Sequence, residues 1–405
     1  MIVYHPSSFF EGKKILLGVT GGIAAVKVVS LARYLTEKGA RVTTCMTRHA
    51  LRIVGRVSFE AVTGERVYVD SFAEGASLAH IALARSHDLI LVVPATANII
   101  GKMAHGIADD LLSTLLLVEP QKVLLAPAMN VSMWRNPVVQ ENVRILMERG
   151  VGVIPPSSGK LACGEEGEGR LPEIEEIVEA IFQALHTPRD LTGKKILITA
   201  GATREWLDPV RFVSNPSSGL MGCALASVCR AWGGEVKLVT GVLSTRVPFG
   251  VVQEKAETAL AMREAVLRSF DWCDVLIMCA AVSDFRPIAF SPVKLKKNND
   301  GVYTLSLVPN PDILQEVGER KGTKLIVGFC AETENVLEEA WRKLRAKNAD
   351  VMVANLVGQE GTGFAVPTNR VWIVDRKGNE VAFPLLPKTD VAERIVSHLV
   401  AHFLS

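Results

Sequence analysis

The pentapeptide GKKIL occurs twice in this chain, at residues 12–16 and again at residues 193–197. Each copy runs into a short apolar stretch that reaches a glycine turn ahead of a helical pattern, ILLGVTGG in the first case and ILITAGAT in the second. A strand–glycine–helix start made twice points to two nucleotide-type α/β domains in series, residues 1–190 and 191–405. Neither copy is a Walker or GxGxxG loop, so the repeat marks a shared fold start and not a phosphate signature. A chain of 405 residues also exceeds what one ordinary core serves.

The alternation of elements supports the same architecture. In the first half, apolar runs at residues 14–20, 41–46, 87–93 and 122–126 read as strands buried on both faces, with helical segments between them. In the second half the runs recur at residues 195–200, 235–240, 274–279, 324–329 and 350–354. The expected fold is therefore α/β, with two doubly wound, Rossmann-like parallel sheets. At the end of the chain, Val391, Ile395, Leu399 and Phe403 share one helical face and read as core.

Bulk properties exclude several partners. A net charge of +2 offers no electrostatic case for nucleic acid or a membrane surface. The 7 cysteines form no CxxC pair and no Cys/His ligand spacing, which argues against zinc and a disulfide framework and suits a reducing cytoplasm. The first residues, MIVYHPSSFFEGKK, lack a signal-peptide layout. No apolar run approaches the ~20 residues that span a bilayer.

Ligands of doubly wound sheets lie at the carboxyl ends of the strands, so the residues after each strand matter most. After the first strand come Thr20, Gly21, Gly22 and Ile23, whose backbone N–H groups at a helix start suit one phosphate. Two later strands both end in Pro-Ala, continuing as Pro94-Ala95-Thr96-Ala97-Asn98 and Pro127-Ala128-Met129-Asn130. His80 reads as either a structural histidine on a helix face or a base. Asn130 reads as either a helix N-cap or a ligand group. Cys163 lies among glycines and charges in SGKLACGEEGEGRL, which suggests a mobile flap with an accessible thiol.

The stretches GGIAAVK, HIAL, PATANIIGKMAHGIADDLL, PAMNVSMW and GKLACGEEGEGRL resemble the flavin-containing cysteine decarboxylases, specifically those acting on phosphopantothenoylcysteine. The resemblance implies FMN against Gly21, Gly22, Ile23, Thr47, Pro94, Ala95, Thr96, Asn98 and Met129. It also implies oxidation of the substrate thiol to a thioaldehyde, loss of CO2, and reduction of the resulting enethiolate. His80 would be the base, Asn130 would hold the substrate carboxylate, and Cys163 would donate the proton in the last step.

In the second half, TAGATREWLDPVRFVSNPSSGLMG, AAVSDFRP, KLKK, NPDIL, VGFCAET, KLRAKNADVMVAN and GTGF resemble phosphopantothenate–cysteine ligases. Together the halves resemble bifunctional coenzyme A biosynthesis flavoproteins. The resemblance implies that L-cysteine is joined to 4'-phosphopantothenate through an acyl-cytidylate made from CTP, with Mg²⁺, giving 4'-phosphopantothenoylcysteine. CTP would meet Met278, Cys279, Ala280, Asp284, Lys294, Pro309, Asn310, Pro311, Asp312, Phe329, Lys343 and Lys347, and Asn215 would contact the intermediate. Read locally, Asn215-Pro216, Asn136-Pro137 and Asn310-Pro311 are each an N-cap followed by the first helical residue, and Lys294, Lys296 and Lys297 a solvated face. The metal ligands are not legible. Leu220 stands where related bacterial ligases carry lysine in SSGKMG, which leaves nucleotide preference open. The family further implies a homo-oligomer, a dodecamer built on trimer and dimer contacts. The alternative function is a non-catalytic regulatory flavoprotein, whose known examples lack the flap cysteine present here.

Overall fold

Two sheets with the same strand order organise the computed structural model, which describes residues 3–70, 79–160, 164–187, 189–296 and 304–404. The chain divides into two compact units, residues 7–185 and residues 186–404 together with residues 3–6. The division thus falls slightly ahead of the expected 190/191. Residues 3–6 pack with the second unit although they precede the first. Tyr4 is fully buried there. Its hydroxyl donates to the Arg246 carbonyl at 2.6 Å, and its carbonyl accepts from Ser227 Oγ at 2.9 Å.

The sheet of the first unit contains β1 (Lys14–Val19), β2 (Arg41–Met46), β3 (Val67–Tyr68), β4 (Leu89–Ala95), β5 (Val123–Pro127) and β6 (Gly152–Val153). Its order is β3-β2-β1-β4-β5-β6, and every pairing is parallel. All of β4 is buried, as its unbroken apolar run requires of a central parallel strand. Helix Ala97–His105 covers it with Ile99, Ile100 and Met103. A hairpin, β7 (Ser157–Lys160) with β8 (Glu166–Arg170), follows the sheet.

The second sheet contains β9 (Lys195–Ala200), β10 (Glu235–Thr240), β11 (Val252–Lys255), β12 (Val275–Met278), β13 (Leu325–Glu332), β14 (Val351–Leu356), β15 (Val371–Asp375) and β16 (Glu380–Ala382). Its order is β11-β10-β9-β12-β13-β14-β15-β16. The first six are parallel, and the last two extend the expected parallel sheet as an antiparallel edge. Helix Lys388–Leu399 buries Val391, Ile395 and Leu399 as the fourfold spacing requires. Phe403 departs from that face because the chain widens into a π-helical turn at Val400–Leu404, which leaves it half-buried.

Helix Leu220–Ala231 lies so close to β9 that a side chain on Gly222 has no room. A Cβ there would stand 2.5 Å from the Ala200 Cβ and 3.0 Å from the Thr199 carbonyl. Gly222→Val should therefore cost about 1–3 kcal/mol of stability by overpacking, read as a lower melting temperature in calorimetry. Gly101→Ala, inside helix Ala97–His105 with only the Asn142 amide nitrogen near an added Cβ, at 3.6 Å, should not lower that temperature. Equal behaviour of the two variants would contradict the close helix–strand contact.

Candidate active sites

In the first unit the strand order reverses between β1 and β4, and the expected flavin residues gather at the carboxyl ends beside that point. Thr20, directly after β1, is buried, and its hydroxyl donates to the Pro94 carbonyl at 2.6 Å. It also lies 3.3 Å from Thr96 Oγ1. Gly21 and Gly22 pass between the loops that follow β2 and β4. A Cβ on Gly21 would stand 2.5 Å from the His49 Cβ, and one on Gly22 3.2 Å from the Pro94 Cγ. The Thr47 N–H donates to the Val19 carbonyl at 3.0 Å. Pro94 and Ala95 are wholly buried, so they offer backbone and not side chain, while Asn98 is exposed. Ile23 is 64% exposed, an apolar side chain left uncovered next to the glycines. This set fits a flavin: backbone N–H groups at a helix start for a phosphate, and apolar surface for a ring.

The recurrence of Pro-Ala has a structural reason. Ala95 pairs across the sheet with Pro127, and the Ala128 N–H donates to the Ala95 carbonyl at 3.1 Å. Adjacent strands therefore end side by side in the same dipeptide. Met129 follows, held by its N–H to the Gly169 carbonyl at 2.9 Å.

Asn130 takes the N-cap position weighed for it. Its side-chain oxygen Oδ1 accepts from the Ser132 N–H at 2.7 Å ahead of helix Val131–Trp134. Its amide nitrogen donates to a carboxylate oxygen, Glu165 Oε2, at 2.5 Å. His80 stands half-buried near the start of helix Ala79–Ser86. No described hydrogen bond joins it to the glycine loop. Cys163 lies outside the described residues, in the segment that separates β7 from β8.

The second unit carries a cavity of about 580 Å³ at the carboxyl ends of its parallel strands. Of the expected nucleotide residues, Met278, Cys279, Ala280, Asp284, Asn310, Pro311, Asp312, Phe329, Lys343 and Lys347 line it, together with Asn215. Pro309 lies just outside the lining, at the end of the short strand Leu307–Pro309. Lys294 is exposed and is also absent from the lining. The base of its loop is fixed: buried Asp208 accepts from the Leu295 N–H at 3.1 Å and from Arg211 Nη2 at 2.6 Å. Burial opposes ionisation of Asp208, but these donors outweigh it and hold the carboxyl below its ordinary range.

Buried hydroxyls shape the loop that follows β12. Thr199 Oγ1 accepts from the Ala280 N–H at 3.1 Å, and Thr203 Oγ1 from the Ser283 N–H at 3.0 Å. Asn215 is not a helix cap, contrary to its local reading. The following helix begins at Leu220 with Gly219 as its cap, and the Asn215 amide instead reaches the Val282 carbonyl at 3.2 Å. Asn310 departs in the same way, donating to the Ser283 carbonyl at 2.7 Å while Asp312 caps helix Ile313–Glu319. Asn136 alone of the three is the cap its pattern suggests, with Pro137 at the first helical turn.

The lining cations differ in their surroundings. Lys343 donates to Glu332 at 2.6 Å. Burial works to lower its pKa, but Glu332 outweighs burial and raises it. Lys347 pairs with Asp312, and Arg342 with Glu339 at 2.7 Å. Lys388, Asn355 and Asn369 also line the cavity and were not among the residues singled out from the sequence. Asn355 closes the stretch KLRAKNADVMVAN, whereas Asn369 and Lys388 lie outside the motifs read from the sequence. The described residues contain no cluster of three or more metal-ligating side chains. Among them, too, no helix is long and apolar enough to cross a membrane.

Comparison with known proteins agrees with this division. Residues 4–186 match the family model described as Flavoprotein. Residues 191–403 match the DNA/pantothenate metabolism flavoprotein C-terminal domain. The coenzyme A biosynthesis bifunctional protein CoaBC of Bacillus subtilis (strain 168) is 44% identical over 396 residues, covering 96% of this chain and 97% of the relative. The proteins of the same name from Mycobacterium tuberculosis (strain ATCC 25618 / H37Rv) and Vibrio vulnificus (strain YJ016) are each 42% identical, over 403 and 393 residues. They cover 96% of this chain, and 96% and 97% of their own lengths. With relatives this similar along nearly its whole length, the chain belongs to the family of bifunctional coenzyme A biosynthesis proteins.

Proposed function

We propose that the second unit joins L-cysteine to 4'-phosphopantothenate using CTP, and that the first unit decarboxylates the product, 4'-phosphopantothenoylcysteine, with FMN. The carrying observation is the single cavity onto which Asn215, the loop from Met278 to Asp284, Phe329, Lys343 and Lys347 converge. A carboxylate oxygen of phosphopantothenate attacks the α-phosphorus of CTP, and the bond to pyrophosphate breaks. The cysteine nitrogen then attacks the acyl carbon, the bond to CMP breaks, and the amine proton leaves to solvent. Two anionic substrates meeting at one carbon need cations, and Lys343 and Lys347 can turn from their carboxylates to phosphate oxygens. Mg²⁺ would enter with the triphosphate, which supplies oxygen ligands of its own. Asn215 donates to the intermediate, Asp284 holds the ribose, Phe329 borders the base, and Lys294 reaches a phosphate from its anchored loop.

In the first unit a bound flavin supplies a two-electron acceptor for the cysteinyl thiol carbon and returns the electrons after CO2 has left. The chain's own groups do the rest. His80 takes the thiol proton, a role that an imidazole can fill as a general base. Asn130 holds the substrate carboxylate, a role supported by the carboxylate of Glu165 already at its amide. Cys163 returns a proton in the final reduction. A non-catalytic regulatory role finds no support among the relatives. The reading extends to a cytoplasmic homo-oligomer. Exposed Phe285, Ile288, Phe290 and Val293 make an apolar run that suits contact with a second copy.

The decisive measurement is a coupled assay with 4'-phosphopantothenate, cysteine and either CTP or ATP, following pyrophosphate and CO2 separately. CTP-dependent pyrophosphate and subsequent CO2 are expected from a yellow, FMN-bearing protein. A colourless protein that FMN does not reconstitute would sink the decarboxylase half. Variants separate the two steps. Asn215→Ala should slow ligation by roughly 100-fold or more while decarboxylation of supplied 4'-phosphopantothenoylcysteine survives. Cys163→Ser should still release CO2 but stall before reduced product; full product from it would refute the proton-donor role.

A further inference from the structure

Lys388 is the one lining cation of the ligase cavity that pairs with no carboxylate among the described residues. It begins helix Lys388–Leu399, is only 5% exposed, and spends one hydrogen bond on the Gly363 carbonyl at 3.0 Å. The nearby Cys279 thiol does not neutralise it, because burial pushes that thiol up to about 12. An ammonium buried without a counter-ion is costly, and burial holds its pKa below the usual lysine range. Lys343 and Lys347 in the same cavity carry their own carboxylates. An anion from outside the chain would therefore favour the charged form of Lys388.

Two further groups lining the cavity are unsatisfied in the opposite sense. Asn355, on β14, is 8% exposed and Asn369 is 2% exposed. The amide oxygen of each accepts no hydrogen bond. Buried acceptors without a donor are rare in native proteins, and two in one cavity point to a ligand that donates. The phosphates of a nucleotide offer only acceptors, and its donors, the base amine and the ribose hydroxyls, are not carried on the same atom as an anion for Lys388. An α-amino acid carries an anion and an N–H donor on a single carbon, and so complements both deficits at once.

We infer that Lys388, Asn355 and Asn369 form the subsite for the amino-acid substrate, Lys388 taking its α-carboxylate and the two amide oxygens its α-amine. The inference rests on the ligase reading and names where that reaction's nucleophile is held. The carboxylate contact would reject amines that lack one, and the amide oxygens would aim the nitrogen at the acyl carbon.

The test compares cysteine with cysteamine, which keeps the amine and thiol but has no carboxylate. In the wild-type protein, kcat/KM should favour cysteine by roughly 10- to 100-fold, the range for one charge-assisted hydrogen bond. Lys388→Met should abolish that preference by lowering the cysteine value alone. Single-turnover pyrophosphate release from CTP and 4'-phosphopantothenate, measured without any amine, should keep its amplitude. A retained preference for cysteine, or loss of the pyrophosphate burst, would overturn the assignment in favour of a nucleotide or structural role for Lys388. Should Lys388→Met not fold, Asn369→Leu serves in its place. It should slow cysteine and cysteamine alike by roughly 10-fold with the burst intact, and unchanged use of both amines would overturn the subsite. Failure of the wild-type protein to release pyrophosphate would instead remove the ligase reading itself, and this shows before any variant is made.

Discussion

The parallel pairing of β1 with β4, and of β9 with β12, is the constraint on which both sites depend. Chain connections leave these strand pairs in opposite directions along the sheet, so a crevice opens where they part. The loops entering it carry backbone groups that must be satisfied without a helix above them. Threonine hydroxyls meet that need in each unit: Thr20 at the end of β4, and Thr199 and Thr203 along the loop after β12. Glycines meet the matching steric need, since Gly21 and Gly22 leave no space for a Cβ between neighbouring loops. These residues are structural first. They hold backbone and side chains at the crevice in the positions a ligand would use.

Charge in the ligase cavity is arranged by the same economy. A cavity that takes the proposed polyanionic substrates must be cationic when loaded, yet the fold without them cannot leave several ammonium groups facing each other in low dielectric. Pairing Lys343 with Glu332 and Lys347 with Asp312 resolves the conflict, because each lysine can exchange one anion for another. Asp312 also caps a helix, so it stays put when its lysine turns away. Lys388 follows another rule. With no carboxylate beside it among the described residues, its charged form is favoured by a ligand that brings one, which makes it selective where the paired lysines are tolerant.

Much of this was legible in the sequence, and the failures have particular causes. Strands β2, β9 and β10 lie where the apolar runs place them, because strands buried on both faces write themselves as continuous hydrophobic stretches. The Pro-Ala dipeptides mark neighbouring strand ends, and most of the nucleotide residues implied by resemblance do line one cavity. Local pattern failed at Asn215-Pro216 and Asn310-Pro311, where long-range carbonyls outcompete the helix N-terminus for the amide. It succeeded at Asn136-Pro137, where no such carbonyl competes and the amide oxygen accepts from the Val138 N–H. Lys388, Asn355 and Asn369 were invisible for a different reason. Asn355 ends a recognised stretch but is one polar residue among apolar strand neighbours, Asn369 and Lys388 fall outside any motif, and burial, the property that makes all three notable, is not written locally.

The cysteines connect fold and chemistry most directly. In the proposed reaction the substrate is a thiol that the first unit oxidises, which gives the chain reason to keep its own thiols inert. Burial does this at Cys229, Cys279 and Cys330, each pushed up to about 12, and at Cys273, pushed up to about 11. Cys45 is raised further by the same cause, and Cys223 is also buried. At neutral pH such groups are protonated and poor nucleophiles. The remaining cysteine, Cys163, is set in sequence among glycines and carboxylates and not in an apolar core run. The proton donor of the proposed last reduction must be a weak acid that meets the substrate. The five buried thiols, Cys45, Cys223, Cys229, Cys273 and Cys330, are placed where they cannot compete for that role, while Cys279 is half-buried at the cavity of the second unit.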